Sequence, residues 1–215
     1  MKVRYLAHSS FVITSEKGTK IVIDPYNQGI GLQYAPVNET ADILLITHDH
    51  PDHNNTAAVK GAQVIKEAGS REVKGIKIKG IPAPHDDQGG KERGNIIIYS
   101  FLVDNLRLCH VGDLGAALTS KQLEEIGPVD VLFIPVGGFF TIDAPAATKV
   151  CDQIKPRIII PMHYKTPKAD YPIKGVEEFT KGKKGVRQID SGESEILANK
   201  MPATAEILVL KPALL

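Results

Sequence analysis

The chain has 215 residues, enough for one sizeable core and one domain, residues 1–215. Its 26 basic side chains nearly balance 25 acidic ones, for a formal charge of +1. No global field therefore points to nucleic acid or a membrane surface as a partner. The N-terminus lacks a continuous apolar stretch of signal-peptide type, and no run is long enough to cross a bilayer, so a cytoplasmic protein is the expectation.

In chain order, residues 2–7, 10–14 and 19–24 read as short strands, with Gly18 turning between the last two. Ile21-Val22-Ile23 delivers Asp24 to a strand end, and Pro25 stops the strand. An irregular stretch, 26–40, precedes the apolar run Ile43-Leu44-Leu45-Ile46, of the kind a buried parallel strand shows. Asn54-Asn55-Thr56 predicts the cap of a short helix running to about 60. Strand-like runs follow at 62–68 and 72–83, ending at Pro84-His85, and 86–94 is glycine-rich and charged, a mobile surface loop by pattern.

Residues 95–103 and 106–111 predict a hairpin around Asp104-Asn105, ending in His110-Val111-Gly112-Asp113. Thr119-Ser120-Lys121-Gln122 has capping-box form, and Gly127-Pro128 closes that helix. Val129 to Pro135 reads as a strand, and Asp143 caps a helix to about 154. Ile158 to Met162 brings His163 to a strand end; a helix near 174–182 and a strand near 205–210 complete the chain. Cys109 and Cys151, the only cysteines, sit in apolar runs and read as buried free thiols.

An internal echo links two stretches. Ile23-Asp24 precedes Asp42 and its apolar run much as Gly112-Asp113 precedes Asp130 and the run Val131 to Ile134. Two related halves, each a sheet with helices outside, packed face to face, are the expected result.

The densest chemistry lies in Thr47-His48-Asp49-His50-Pro51-Asp52-His53, which holds three of the seven histidines. Alternate residues of an extended chain point the same way, so His48 and His50 can face one point. Pro51 bends the path and can bring Asp52 and His53 to a second point. Asp24, His48, His50, Asp52, His53, His85, Asp113 and His163 all lie at or just past predicted strand ends. In layered α/β folds those ends gather along one edge. That is too many donors for a single four-coordinate ion with an open position, and two ions sharing a water or hydroxide is the economical solution.

His48-x-His50-x-Asp52-His53 resembles the signature of the metallo-beta-lactamase superfamily. The likeness extends over nearly the full chain and implies an αβ/βα four-layer sandwich. It implies that His48, His50 and His85 hold one ion, that Asp52, His53 and His163 hold the other, and that Asp113 bridges. Asp24 is expected to orient a bound histidine, and His110 to be a satisfied core histidine. Ala7-His8-Ser9-Ser10, Gly112-Asp113-Leu114-Gly115, Pro135-Val136-Gly137-Gly138 and Pro161-Met162-His163-Tyr164-Lys165 look like segments of the L-ascorbate-6-phosphate lactonase-like branch. There His8 would bind substrate or donate a proton, or else fix the first hairpin. Gly137-Gly138 would let backbone approach a ligand. Thr141, Asp143, Tyr164, Lys165, Lys91 and Arg93 are rim candidates for substrate contacts.

Imidazole with carboxylate suits zinc, manganese, iron, cobalt or nickel. The resemblance favours a hydrolytic zinc- or manganese-type pair, because diiron relatives typically carry Glu where His50 stands. The expected activity is hydrolysis of a small ester, lactone or phosphodiester by a metal-bridged hydroxide, with Asp52 orienting it or carrying a proton. The alternatives are an iron-dependent oxidoreductase of sulfur dioxygenase type, a ribonuclease Z-like nuclease, or a metal-binding sensor without turnover. A small-molecule substrate is the expected partner; the oligomeric state is left open, a homo-oligomer included.

Overall fold

Alternation decides which way each strand faces, and the computed structural model, which covers residues 1–215, shows both faces in use. In Lys2–Ala7, Ser10–Thr14, Lys20–Ile23 and Ile43–Leu45, one set of side chains (Tyr5, Phe11, Ile13, Ile21, Ile23, Leu45) joins a core of 49 buried residues. The alternate set, among them Leu6, Val12, Val22 and Leu44, joins a second core of 13 on the opposite face. A sheet apolar on both faces needs cover on both sides.

These strands belong to a six-stranded sheet, ordered Glu193–Glu195, Lys2–Ala7, Ser10–Thr14, Lys20–Ile23, Ile43–Leu45, Gln63–Ile65. A second, eight-stranded sheet runs Val186–Ile189, Glu206–Leu210, Ile158–Met162, Val131–Pro135, Leu106–His110, Asn95–Val103, Ile76–Pro84, Gly69–Val73. The larger core draws on both sheets. Tyr99, fully buried, ties them: its hydroxyl lies 3.0 Å from the carbonyls of Ile46 and Ile65. At the same edge Ile97 N donates to Thr47 O at 2.8 Å.

Helices Ser120–Ile126, Ala144–Ile154 and Glu177–Thr180 add Ile126, Val150 and Phe179 to the larger core. The smaller core is closed instead by irregular chain, through Tyr26, Leu32, Tyr34 and Val37. The expected α/β sandwich is the architecture observed, with its outer layer on the first sheet built of irregular chain in place of helix. No helix is long and apolar enough to cross a membrane.

The two halves share a staple. Asp42 N donates to Lys20 O, and its carboxylate accepts from Lys20 N, both at 2.9 Å. Asp130 does the same to Arg107, at 2.9 and 2.8 Å. Each staple starts a buried strand that runs parallel to the preceding hairpin strand. The equivalence does not extend to the other aspartates. The registers Ile23 with Leu45 and His110 with Phe133 put Asp24 level with Val111, so Asp113 stands two residues farther along.

Several element boundaries differ from expectation. The helix at 54–60 is only a 3-10 turn, Thr56–Ala58. Asn55 donates its amide to Tyr26 O and Asn54 to Asp49 O, so neither caps a helix, and Val59–Lys60 instead pairs with Glu39–Thr40. The helix at 174–182 shrinks to Glu177–Thr180. Both cysteines are buried and free.

Candidate metal centre

Six connections leave strand ends along one edge and bring their side chains together. His8 follows Lys2–Ala7, Asp24 follows Lys20–Ile23, and the 47–53 loop follows Ile43–Leu45. His85, Asp113 and His163 follow Ile76–Pro84, Leu106–His110 and Ile158–Met162. His8 (φ 57°), Asp24 (φ 45°) and His163 (φ 51°) adopt the left-handed conformation. Non-glycine residues take it rarely, so three at one edge mark a place where the fold forces side chains to turn. His163 N donates to His8 O at 2.8 Å, and Tyr5 donates its hydroxyl to the same carbonyl at 2.9 Å.

Gly115 sets the approach of the Asp113 turn. A Cβ there would stand 2.2 Å from the carbonyl carbon of His85 and from Asp86 N. Only glycine lets this turn lie directly on the His85 backbone.

Two clusters hold the nominated donors, and a third, Asp24 with His48 and His53, links them; within each, all donor atoms lie within 4.8 Å of one another. One is His48, His50 and His85; the other is His8, Asp52, His53 and His163. Asp113 stands between them. Its Oδ2 lies 3.9 Å from His48 Nε2, 3.6 Å from His85 Nε2, 3.2 Å from His53 Nε2 and 3.3 Å from His163 Nε2. The structure thus brings together every residue the sequence nominated as a metal donor. It keeps His110 apart: Nε2 meets Ser9 O at 3.0 Å and Nδ1 accepts from Gly112 N, so that ring is satisfied in the core.

Hydrogen bonds fix which nitrogens carry protons. Thr47 donates its hydroxyl to Asp24 Oδ2 at 2.6 Å. With that proton committed, Thr47 Oγ1 accepts from His48 Nδ1 at 2.9 Å. His53 Nδ1 likewise donates to Asp24 Oδ2 at 3.0 Å. Both rings therefore turn Nε2 toward Asp113, with one buried carboxylate behind both. Asp24 has the orienting place expected of it. His50 Nδ1 and His85 Nε2 face each other at 3.2 Å.

The electrostatics are severe without a cation. His48, His53 and His163 Nε2 and Asp113 Oδ1 are buried and lack hydrogen-bond partners. Each such atom costs about 1–3 kcal/mol. Burial, with His163 adding to it, pushes His8 down to about 4; burial, with His53 adding to it, pushes His48 down to about 3. Both imidazoles are neutral, the form that ligates metal. Burial opposes charge on Asp113, yet His163 and His53 hold it well below the carboxylate range. Burial likewise opposes charge on His53, and Asp113 and Asp52 outweigh it and raise that group. A divalent cation takes the place of such a proton. The chemistry of the donor set fits divalent-cation binding.

His8 is fully buried and does not line the cavity; its Nε2 meets Asp52 Oδ2 at 3.1 Å. It meets the cavity lining through Asp52. A cavity of about 250 Å³ opens over the donors, walled by Arg93, Phe140 and Tyr171 beside His50, Asp52 and Asp113. Sequence reasoning missed Phe140 and Tyr171, which carry no metal-ligand chemistry. Tyr171 is held by its hydroxyl on Ile30 O at 2.7 Å, with its ring against Gly31.

Among the rim candidates, Thr141 and Asp143 line an adjoining recess, Asp143 also capping Ala144–Ile154. Tyr164 is buried, its hydroxyl 3.4 Å from Leu210 O, so it does not reach the rim. Lys165 donates to Tyr171 O, and Lys91 is exposed. Gly137 makes a close approach, but to protein: a Cβ there would stand 2.3 Å from His163 O. The 86–94 loop is built around Asp86, whose carboxylate accepts from the backbone N–H groups of Gln88, Gly90, Glu92 and Arg93.

Residues 2–163 match the model of the Beta-lactamase superfamily domain. A UPF0173 metal-dependent hydrolase of Thermococcus onnurineus is 32% identical over 99% of this chain and 97% of its own. Another, from Carboxydothermus hydrogenoformans, is 34% identical over 77% of this chain and 85% of its own. A crystal structure from Thermotoga maritima, of a protein described as belonging to the metallo-beta-lactamase superfamily, superposes with a TM-score of 0.82. It is 34% identical and covers 97% of both chains. The chain belongs to the beta-lactamase superfamily and is one of its metal-dependent hydrolases.

Proposed function

We propose that the whole chain acts as one domain that holds two divalent ions and hydrolyses a small ester, lactone or phosphodiester. The observation that carries this reading is the set of buried, unpartnered imidazole Nε2 atoms converging on Asp113 Oδ2 from two clusters. His48, His50 and His85 would hold one ion, Asp52, His53 and His163 the other, with Asp113 shared. Zinc fits the imidazole-rich set best; manganese, iron and nickel are tolerated by the same donors. When bound, such ions acidify a water toward a pKa of roughly 7 and polarise the electrophile's oxygen.

The chain's own residues supply the rest. Asp24 fixes the His48 and His53 rings. His8 donates from Nε2 to Asp52 and holds that carboxylate in place. Asp52 lines the cavity and is the one carboxylate placed both to orient a nucleophilic water and to carry a proton to a leaving group. The cavity of about 250 Å³ suits a small substrate. The lactonase-like segments noted in the sequence keep lactones among the candidates. An iron-dependent oxidoreductase has less support, since the relatives are named hydrolases.

The test is metal analysis of untagged protein with turnover assays on lactones, phosphodiesters and phosphorylated sugars. Two ions per chain with hydrolysis of one class is the expected result. Iron alone, with oxygen uptake and no hydrolysis, overturns the reading. Asp52→Asn should slow turnover by about 10²–10⁴-fold, the usual range for losing an acid–base group; an unchanged rate removes Asp52 from the mechanism.

A further inference from the structure

Arg93 stands at the mouth of the cavity without a counter-ion. Of the six arginines, Arg4, Arg71 and Arg187 each pair with a glutamate and Arg93, Arg107 and Arg157 do not; among those three, Arg93 is the one that lines the cavity over the donors. Its guanidinium carbon sits 4.9 Å over the Phe140 ring. It lines both the cavity over the donors and the recess of about 500 Å³ beside it. The nearby Lys165 is engaged by Tyr171 O, which leaves Arg93 as the cation facing the cavity. Its placement is built: Arg93 N donates to Asp86 Oδ2 at 2.8 Å, and Asp86 directly follows the donor His85.

The aromatic floor of this arrangement has its own signature. Phe139, next to Phe140, is 66% exposed and adopts a φ of +64°. A bulky side chain at positive φ is strained, and strain of this kind collects at ligand sites. Phe139 and Phe140 pack edge to face with centroids 4.7 Å apart. Asp87 and Glu92 line the outer recess, so an anion is favoured on the cavity side of the Phe140 ring. Asp52 and Asp113, the carboxylates on that side, already face imidazoles.

We propose that Arg93, stacked on Phe140, binds an oxyanion group of the substrate, a carboxylate or phosphate separate from the bond being cleaved. The site thereby selects anionic substrates over neutral ones. A planar guanidinium over a ring is pre-organised to grip two oxygens at once. This inference rests on the hydrolase reading above and narrows its substrate class.

Two activated esters of similar size separate the ideas: 4-nitrophenyl hydrogen adipate, whose free carboxylate is too remote to attack its own ester readily, and 4-nitrophenyl hexanoate, without a carboxylate. In the metal-loaded wild type, kcat/KM should favour the adipate ester. Arg93→Met should reduce that preference roughly tenfold or more, mainly through KM, as expected for losing a charged hydrogen bond. Arg93→Lys should restore part of it, which also controls for misfolding. A preference unchanged within about twofold overturns the inference and leaves the hydrolase reading intact. If the wild type cleaves neither ester, that failure counts against ester hydrolysis alone, and calorimetric titration decides the anion subsite. Monomethyl succinate and methyl phosphonoacetate would serve as carboxylate and phosphonate probes. Weaker binding of either by Arg93→Met supports the subsite and shows which oxyanion it prefers; equal binding of both overturns it.

Discussion

The two donor clusters differ most in what surrounds them. His50 is exposed and opens the His48, His50, His85 cluster to solvent. In the other cluster His8, His53 and His163 are fully buried, and only Asp52 reaches the cavity. The buried cluster also has more support behind it, with His53 on Asp24 and Asp52 on His8. The difference teaches that similar donors need not hold ions alike: on the two-ion reading proposed above, the open cluster should exchange its ion readily and the buried one should keep it.

Four substitutions test that contrast. The largest effect is expected of Asp113→Ala, since Asp113 faces donors of both clusters. Elemental analysis should find both ions lost and hydrolysis abolished, since no ion remains to acidify a water. Retention of both ions would show that Asp113 is not shared. His50→Ala should empty the open cluster and abolish hydrolysis while the buried cluster keeps its ion; loss of both ions together would mean the clusters cannot be filled separately.

Asp24→Asn acts on both His48 and His53 from behind, so it should weaken both ions by about 10–100-fold, measured by competition with a chelator. If only one ion is weakened, the branching from Asp24 to two rings is wrong. Thr47→Val removes the partner of His48 Nδ1 but leaves the His53 contact with Asp24. It should weaken the open cluster alone, by about tenfold, the lower end of that range.

Much of this centre was legible in the sequence because metal donors are chemically rare and were packed at strand ends. Six residues from His48 to His53 hold four donors, and the apolar run before them is hard to misread. The walls were not legible. Phe139, Phe140 and Tyr171 are ordinary apolar residues until folding sets them over the cavity. Nor were Val186–Ile189 and Glu193–Glu195 seen as strands, because they lie at sheet edges, with side chains half in water and no strong alternation. The false helix at 54–60 failed for a local reason: its two asparagines spend their amides on distant carbonyls.

The paired staples at Asp42 and Asp130 carry one more implication. Counted from them, the loop that bears His48 to His53 in the first half corresponds to the loop that bears Gly137 to Phe140 in the second, and Asp52 falls level with Phe140. On the reading proposed above, the first loop supplies the metal donors and the second an aromatic wall. Changes of preference between related chains should accordingly accumulate in the second loop, where they can reshape what is held without disturbing how it is cut.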